Sequence, residues 1–410
     1  VRILALACLA AVLWTFLAVT VKTHGFFDLS VYDGALRSWV REGGSLYDYS
    51  VPDSVFGFTY PPFAALVMLP LAFLPWSATV VVSVAITVAC AAGVLYLLMR
   101  PVARRRGWDT RYAAAVAVIV APAFEPFMET LLFGQINLVL VLLVTVDLLV
   151  LARRGSRFTG IGVGLATAIK LTPGIFIVYL LVTRRWRAAL VASGTAAAAT
   201  LLAFALAPGA SRVFWTSALW NTSRVGDLDF IANQSIMGAL ARWNPASPSR
   251  VVEVIAGLAV AAIWFVKVRR ADAAGDVMTG IALTGILGCL VSPVTWIHHL
   301  VWLAPALVAL ADGALGDGLP LPRPLTARFP SLAASRPVRR HQWVLLGTAA
   351  LAVAILCTRL IWHFHNNYGT PVTWLFSNGY LWLTLALLVV LPAKIPLTGD
   401  SSEKTGKSHR

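Results

Sequence analysis

Apolar stretches long enough to cross a bilayer as helices recur from one end of this chain to the other. They fall at roughly 3–21, 76–99, 112–124, 135–152, 188–208, 251–266, 277–293, 299–311, 343–361 and 376–393. About 30 Å of hydrocarbon asks for ~20 such residues in a helix, and Pro and Gly shorten or break several of these. No aqueous core could hide them, because 59% of the 410 residues are apolar and only 12% are charged. That is about half the charged share of an ordinary soluble domain, and in water the chain would expose large patches and aggregate. A soluble enzyme, a disordered chain and a collagen-like repeat are excluded. The first stretch lacks a small-residue cleavage site and further spans follow it, so an uncleaved helix is expected there rather than a signal peptide.

The net charge of +15 invites a nucleic-acid partner until the charges are placed. Basic clusters stand at Arg100–Arg111, Arg153/Arg154/Arg157, Arg184/Arg185/Arg187, Lys267/Arg269/Arg270, Arg323–Arg340 and the tail from Lys394. If all are cytoplasmic, the positive-inside rule is met with both termini inside. The charge is then a topology signal, and no nucleic-acid partner is expected. Segments 22–60, 125–134, 209–250, 294–298 and 362–375 fall outside. Residues 60–75 read as a short or re-entrant helix. Residues 158–183 lie between two cytoplasmic Arg clusters and read as a hairpin turning near Lys170–Pro173. The fold class is all-α, a polytopic bundle of about twelve spans, with one membrane domain over 1–393 and a polar tail at 394–410. The cysteines Cys8, Cys90, Cys289 and Cys357 show no CxxC or Cys/His spacing and read as buried, inert thiols.

The outer segments hold the unusual residues. In the first, Leu29, Tyr32, Leu36, Trp39 and Val40 sit at helical spacing before Gly43-Gly44, which predicts an amphipathic helix lying along the membrane surface. Asp28 just precedes it. There it reads as an N-cap, as a base fixed at the membrane–water boundary, or as both, ionised with a low pKa. Asp33 lies about 140° around the helix from Asp28, and Arg37, four residues on, would give it a surface ion pair. Asp48 and Asp53 read as solvated loop residues.

Further on, Glu125 and Glu129 flank a break in the apolar pattern, followed by Gln135 and Asn137. Amides at membrane depth need partners, which helix–helix hydrogen bonds or a substrate cavity would supply. Lys170 stands in an apolar hairpin, where it either snorkels to water or meets an anion such as a phosphate headgroup. Loop 209–250 carries tryptophans beside Asn233 and Gln234, suited to anchoring at the interface or to holding a sugar. His298 and His299 lie where a span emerges. Adjacent histidines face different ways on a helix, a poor geometry for one metal, and one of them could contact phosphate or sugar. No metal or cofactor is called for.

The segments FDLSVYDGALRSW, FTYPPFAALVMLPLAFLPW, LLFGQINLVLVLL, GLATAIKLTPGIFIVYLLVTRRWR, NQSIMGALAR and SPVTWIHHLVWLAPAL together resemble glycosyltransferase family 87. These are actinobacterial, polyprenol-phosphate-mannose-dependent mannosyltransferases of the GT-C class. The resemblance implies a polyprenyl-phosphate mannose donor, inversion at the anomeric carbon and α-1,2 mannosylation of a glycolipid acceptor. That acceptor would be a phosphatidylinositol mannoside, lipomannan or lipoarabinomannan. It also implies a base at Asp28, with Asp33 the other carboxylate nearby, and a functional histidine at His298 or His299. Tyr60 of the FTYPP segment and Arg37 join Lys170, Gln135, Asn137, Asn233 and Gln234 as candidate substrate contacts. The rival reading is a lipid or sugar transporter of the envelope, which would predict short outer loops and inverted repeats.

Overall fold

A computed structural model describes residues 2–21, 24–52, 54–221, 225–316 and 340–391. Asp53, most of the Arg323–Arg340 cluster and the 394–410 tail lie outside the described residues. Helices run in the order α1 (Arg2–Thr20), α2 (Phe27–Arg41), α3 (Pro62–Met68), α4 (Trp76–Arg106), α5 (Thr110–Val120), α6 (Glu125–Phe133), α7 (Asn137–Val146), α8 (Ile161–Ile169) and α9 (Ile175–Val182). They continue with α10 (Trp186–Leu206), α11 (Pro208–Thr216), α12 (Ile236–Trp243), α13 (Arg250–Ala273), α14 (Val277–Val291), α15 (Ala304–Leu315), α16 (Arg340–Thr358), α17 (Pro371–Ser377) and α18 (Gly379–Val390). Among the described residues no strand forms, only an isolated bridge between Ser50 and Gly57.

Among the described residues six helical segments are long and apolar enough to cross a membrane, or eight if the two bent pairs, α5 with α6 (76°) and α17 with α18 (65°), each cross once. Four shorter apolar helices remain, Pro62–Phe73, Asn137–Leu151, Thr172–Val182 and Val277–Val291. At 1.5 Å per residue they reach well short of the hydrocarbon thickness. The sequence expectation of about twelve spans counts the stretches at 135–152 and 277–293 as crossings, and reads 60–75 as short or re-entrant and 158–183 as a hairpin.

The bundle has two chemically different ends. At one, Arg105 and Arg106 meet Asp312, Arg2 meets Asp109 at 3.0 Å, Arg185 meets Asp272 at 3.3 Å and Arg269 reaches the Val182 carbonyl at 3.0 Å. Basic clusters far apart in sequence thus converge with the start of α1. At the other end α2, the α6–α7 turn and the 3-10 turn Ile297–Leu303 come together. Between the ends, α8 and α9 form the expected hairpin, with Lys170 at its tip. Buried Asp147 fixes its entry by accepting the Gly160 and Val163 amides at 2.7 and 2.9 Å, which caps the first turn of α8.

Two readings of the first loop change. Helix α2 begins at Phe27 after Phe26 in the left-handed region (φ 56°), so Asp28 lies inside the first turn and is not the cap residue. The helix also buries more than one stripe. Leu29, Tyr32 and Leu36 are buried as expected, but so are Val31, Asp33 and Ala35. The Asp33–Arg37 pair forms at 2.7 Å, yet Asp33 is buried, and Arg37 also bonds the Leu74 carbonyl. The pair therefore pins α2 to the turn after α3, away from the surface. Of the cysteines, Cys90 and Cys289 are buried, while Cys8 is exposed and Cys357 half-buried.

Candidate active site

Gly134 ends α6 with φ +69°, and a Cβ there would stand 2.6 Å from the Leu29 Cβ. Glycine therefore serves both the left-handed backbone and the close approach of α2. That approach brings Gln135 to Asp28, where its amide Nε2 donates to Asp28 Oδ2 at 2.5 Å. The same side chain accepts the Tyr60 hydroxyl on Oε1 at 2.8 Å. Since Tyr60 spends its proton there, the Tyr32 hydroxyl donates to Tyr60 at 2.9 Å. Tyr47 steadies this strap by donating to the Tyr60 carbonyl at 2.7 Å.

Lys170 closes the constellation from the hairpin tip. Its Nζ donates to Asn137 Oδ1 at 3.0 Å, lies 3.5 Å from the Tyr60 hydroxyl and 2.9 Å from His299 Nε2. It also sits 5.0 Å from the centre of the Tyr60 ring, within cation–π range. Asn137 is oriented by donating Nδ2 to the His298 carbonyl at 3.2 Å. His299 Nδ1 accepts the Trp296 amide at 3.1 Å. His298 packs on Phe133 and His299, and its buried Nε2 has no hydrogen-bond partner among the described residues. A narrow cavity lined by Asn137, His299, Thr172, Cys289 and Trp302 adjoins Lys170.

Half-buried Asp28 is pushed up to about 6 from an ordinary value of 3.8. Withdrawal from water is the main cause, offset in part by the Gln135 hydrogen bond and the Lys170 charge. The expectation of a low pKa, based on the helix start, is thus reversed. Burial outweighs the Gln135 hydrogen bond and the Lys170 and His24 charges, which together do not restore the hydration lost.

Other candidates are spent elsewhere. Gln234 donates to the Ile231 and Ser377 carbonyls and accepts the Tyr380 and Leu381 amides. Asn233 bonds the Leu228 and Pro293 carbonyls and the Thr295 amide. Both amides brace loops beside the histidines, and their hydrogen-bonding groups do not point to Asp28. Arg37 is committed to Asp33 and Leu74.

The sequence reading missed a clamp next to the site. Glu129 on α6 takes His24 at 3.0 Å and Arg359 at 2.6 Å, while Glu125 accepts Trp362 Nε1 at 2.6 Å and the Tyr380 hydroxyl. This ties the chain just before α2 and the segment after α16 to one buried helix. The break noted at Glu125 and Glu129 was the available signal.

A family model described as glycosyltransferase family 87 matches residues 58–293. Two curated relatives share the name polyprenol-phosphate-mannose-dependent alpha-(1-2)-phosphatidylinositol mannoside mannosyltransferase. The one from Mycolicibacterium smegmatis is 32% identical over 100% of this chain and 92% of its own length. The one from Mycobacterium tuberculosis is 35% identical over 88% of this chain and 83% of its own.

The chain belongs to glycosyltransferase family 87. It is therefore a membrane glycosyltransferase, and the transporter reading falls. A further Mycolicibacterium smegmatis relative, named for a phosphatidylinositol pentamannoside acceptor, is 32% identical over 76% of this family 87 chain and 75% of its own length. No solved structure matches the chain.

Proposed function

We propose that this family 87 enzyme transfers mannose from polyprenyl-phosphate mannose to a phosphatidylinositol mannoside in α-1,2 linkage, with Asp28 as general base. One observation carries the reading. A carboxylate tuned to about 6 and a buried lysine are joined through Gln135 and Tyr60 in a single hydrogen-bonded constellation. An alcohol is a weak nucleophile, and a positioned base near the working pH is the expected device. The acceptor hydroxyl gives its proton to Asp28 as its oxygen attacks the anomeric carbon from the face opposite the phosphate. The bond from that carbon to the phosphate oxygen breaks, and charge grows on the leaving polyprenyl phosphate. Lys170, with His299 or the unpartnered His298 Nε2, meets that charge. Two relatives aligned over most of the chain bear the mannoside name, which favours a short mannoside acceptor over lipomannan.

The site would face the extracytoplasmic side with both termini cytoplasmic, since the converging Arg clusters occupy the opposite end. The purified protein with radiolabelled polyprenyl-phosphate mannose and a phosphatidylinositol mannoside tests the reading. A product carrying one added α-1,2-mannose supports it. Label passing only to lipomannan, or to no acceptor, counts against it.

A further inference from the structure

At the basic end of the bundle a cavity of about 540 Å³ opens between the turn after α7, the α9–α10 junction and the start of α14. Arg153, Arg184, Arg185 and Arg187 line it, with Trp186 among them. Arg185 is paired with Asp272 at 3.3 Å, and Arg187 donates to the Ser156 carbonyl at 2.8 Å. The guanidinium groups of Arg153 and Arg184 have no hydrogen-bond or ion-pair partner among the described residues. Four arginines thus line one concavity, with a single carboxylate, Asp272, in ion-pair contact among the described residues. Arg153, Arg184 and Arg187 are solvent-exposed, and the concavity opens outward.

The backbone supports the same chemistry. Arg184 is held at φ 57°, a left-handed state that non-glycine residues rarely adopt. Helix α10 starts at Trp186 with no side-chain cap, so its first amides add donors to a wall already rich in guanidinium groups. Trp186 (57% exposed) and Leu190 (74% exposed) lie one turn apart on α10. An apolar strip therefore leads from the cavity along the helix.

We infer that this cavity binds a phosphate-bearing anion, and that its occupant is the headgroup of an anionic phospholipid. The phosphate would sit among Arg153, Arg184 and Arg187, with the acyl chains along the Trp186–Leu190 face. Basic pockets between membrane helices recognise headgroups in this way. The site is separate from the Asp28 constellation, and its occupant would anchor the base of the Lys170 hairpin.

The test compares wild type with the double variant Arg153→Gln/Arg184→Gln in phosphatidylcholine nanodiscs, with and without phosphatidylinositol. Retained lipid is read by native mass spectrometry, and stability by thermal unfolding. Wild type should retain phosphatidylinositol and unfold at higher temperature with it, and the double variant should bind it about 30-fold more weakly. In phosphatidylcholine alone the two should share unfolding temperature and transfer activity, which shows that the variant folds. If the variant unfolds early there, single Arg153→Gln decides by the same readouts. A parallel arm adds inorganic phosphate to detergent-solubilised protein. A shift there in wild type alone supports the anion site with a soluble source. Equal phosphatidylinositol retention by both proteins, or none by wild type, overturns the proposal.

Discussion

Gln135 holds Asp28 and Tyr60 at once, donating to the carboxylate at 2.5 Å and accepting from the hydroxyl at 2.8 Å. A neutral amide is thus the bridge between the proposed base and the lysine side of the site. Because its N–H favours the ionised carboxylate, it restrains the upward shift that burial imposes on Asp28.

The first expectation concerns pH. The base works deprotonated, so kcat/KM should fall about tenfold per unit below its pKa of about 6. Gln135→Leu removes an interaction that lowers that pKa, so the inflection should move upward. Rate profiles from pH 5 to 8 for both proteins check this, and an unmoved inflection would deny Gln135 the role.

Asp28 should also weaken the fold it serves. In the unfolded chain it loses its proton near 3.8, but in the fold only near 6. Stability from this group is therefore complete below about pH 4, falls as pH rises to about 6 and stays lost above. At pH 7.5 Asp28→Asn should unfold at the same or a higher temperature than wild type, and the difference should vanish near pH 4.

Gly134→Ala tests the approach of α2. The added methyl meets Leu29 at 2.6 Å, and the backbone stands at φ +69°. The bridge to Asp28 should lengthen, with kcat reduced at least about tenfold while the protein still inserts and folds. Kinetics beside a thermal melt separate the two effects.

Lys170→Met should remove the cation that meets the leaving phosphate. A loss of about 10²–10³ in kcat is expected, with Lys170→Arg restoring part of it. A change confined to donor KM would assign Lys170 to binding alone.

The clamp makes a stability prediction. Glu129→Gln leaves partly buried Arg359 without its closest carboxylate, at 2.6 Å, and weakens the tie to His24. Breaking a buried pair costs about 3–5 kcal/mol, so the variant should unfold at a clearly lower temperature. An unchanged melt would reduce the clamp to a surface contact.

Much of this architecture was legible in the chain because bilayer physics writes it there. The apolar runs mark the helices, and the Arg clusters bracketing 158–183 give the hairpin and its turn at Lys170. Asp28, Lys170, Gln135, Asn137 and the pair His298/His299 could be named from residue type and depth, and Tyr60 from the family-like FTYPP segment. What joins them could not. The bridge depends on Gln135, far from Asp28 in sequence, and on a left-handed Gly134. The true start of α2 depends on a left-handed Phe26, which no aromatic residue signals. Asn233 and Gln234 looked equally fit for sugar, yet loop backbones consume their hydrogen bonds. Arg359 went unnoticed because only the fold sets it against Glu125 and Glu129.

The central claim is that Asp28 takes the acceptor proton, and Asp28→Asn isolates it, because the amide keeps the size and removes the base. Single-turnover transfer from labelled polyprenyl-phosphate mannose should fall by about 10²–10⁴-fold, with donor affinity and thermal stability retained. Transfer at the wild-type rate by the folded variant would contradict the account.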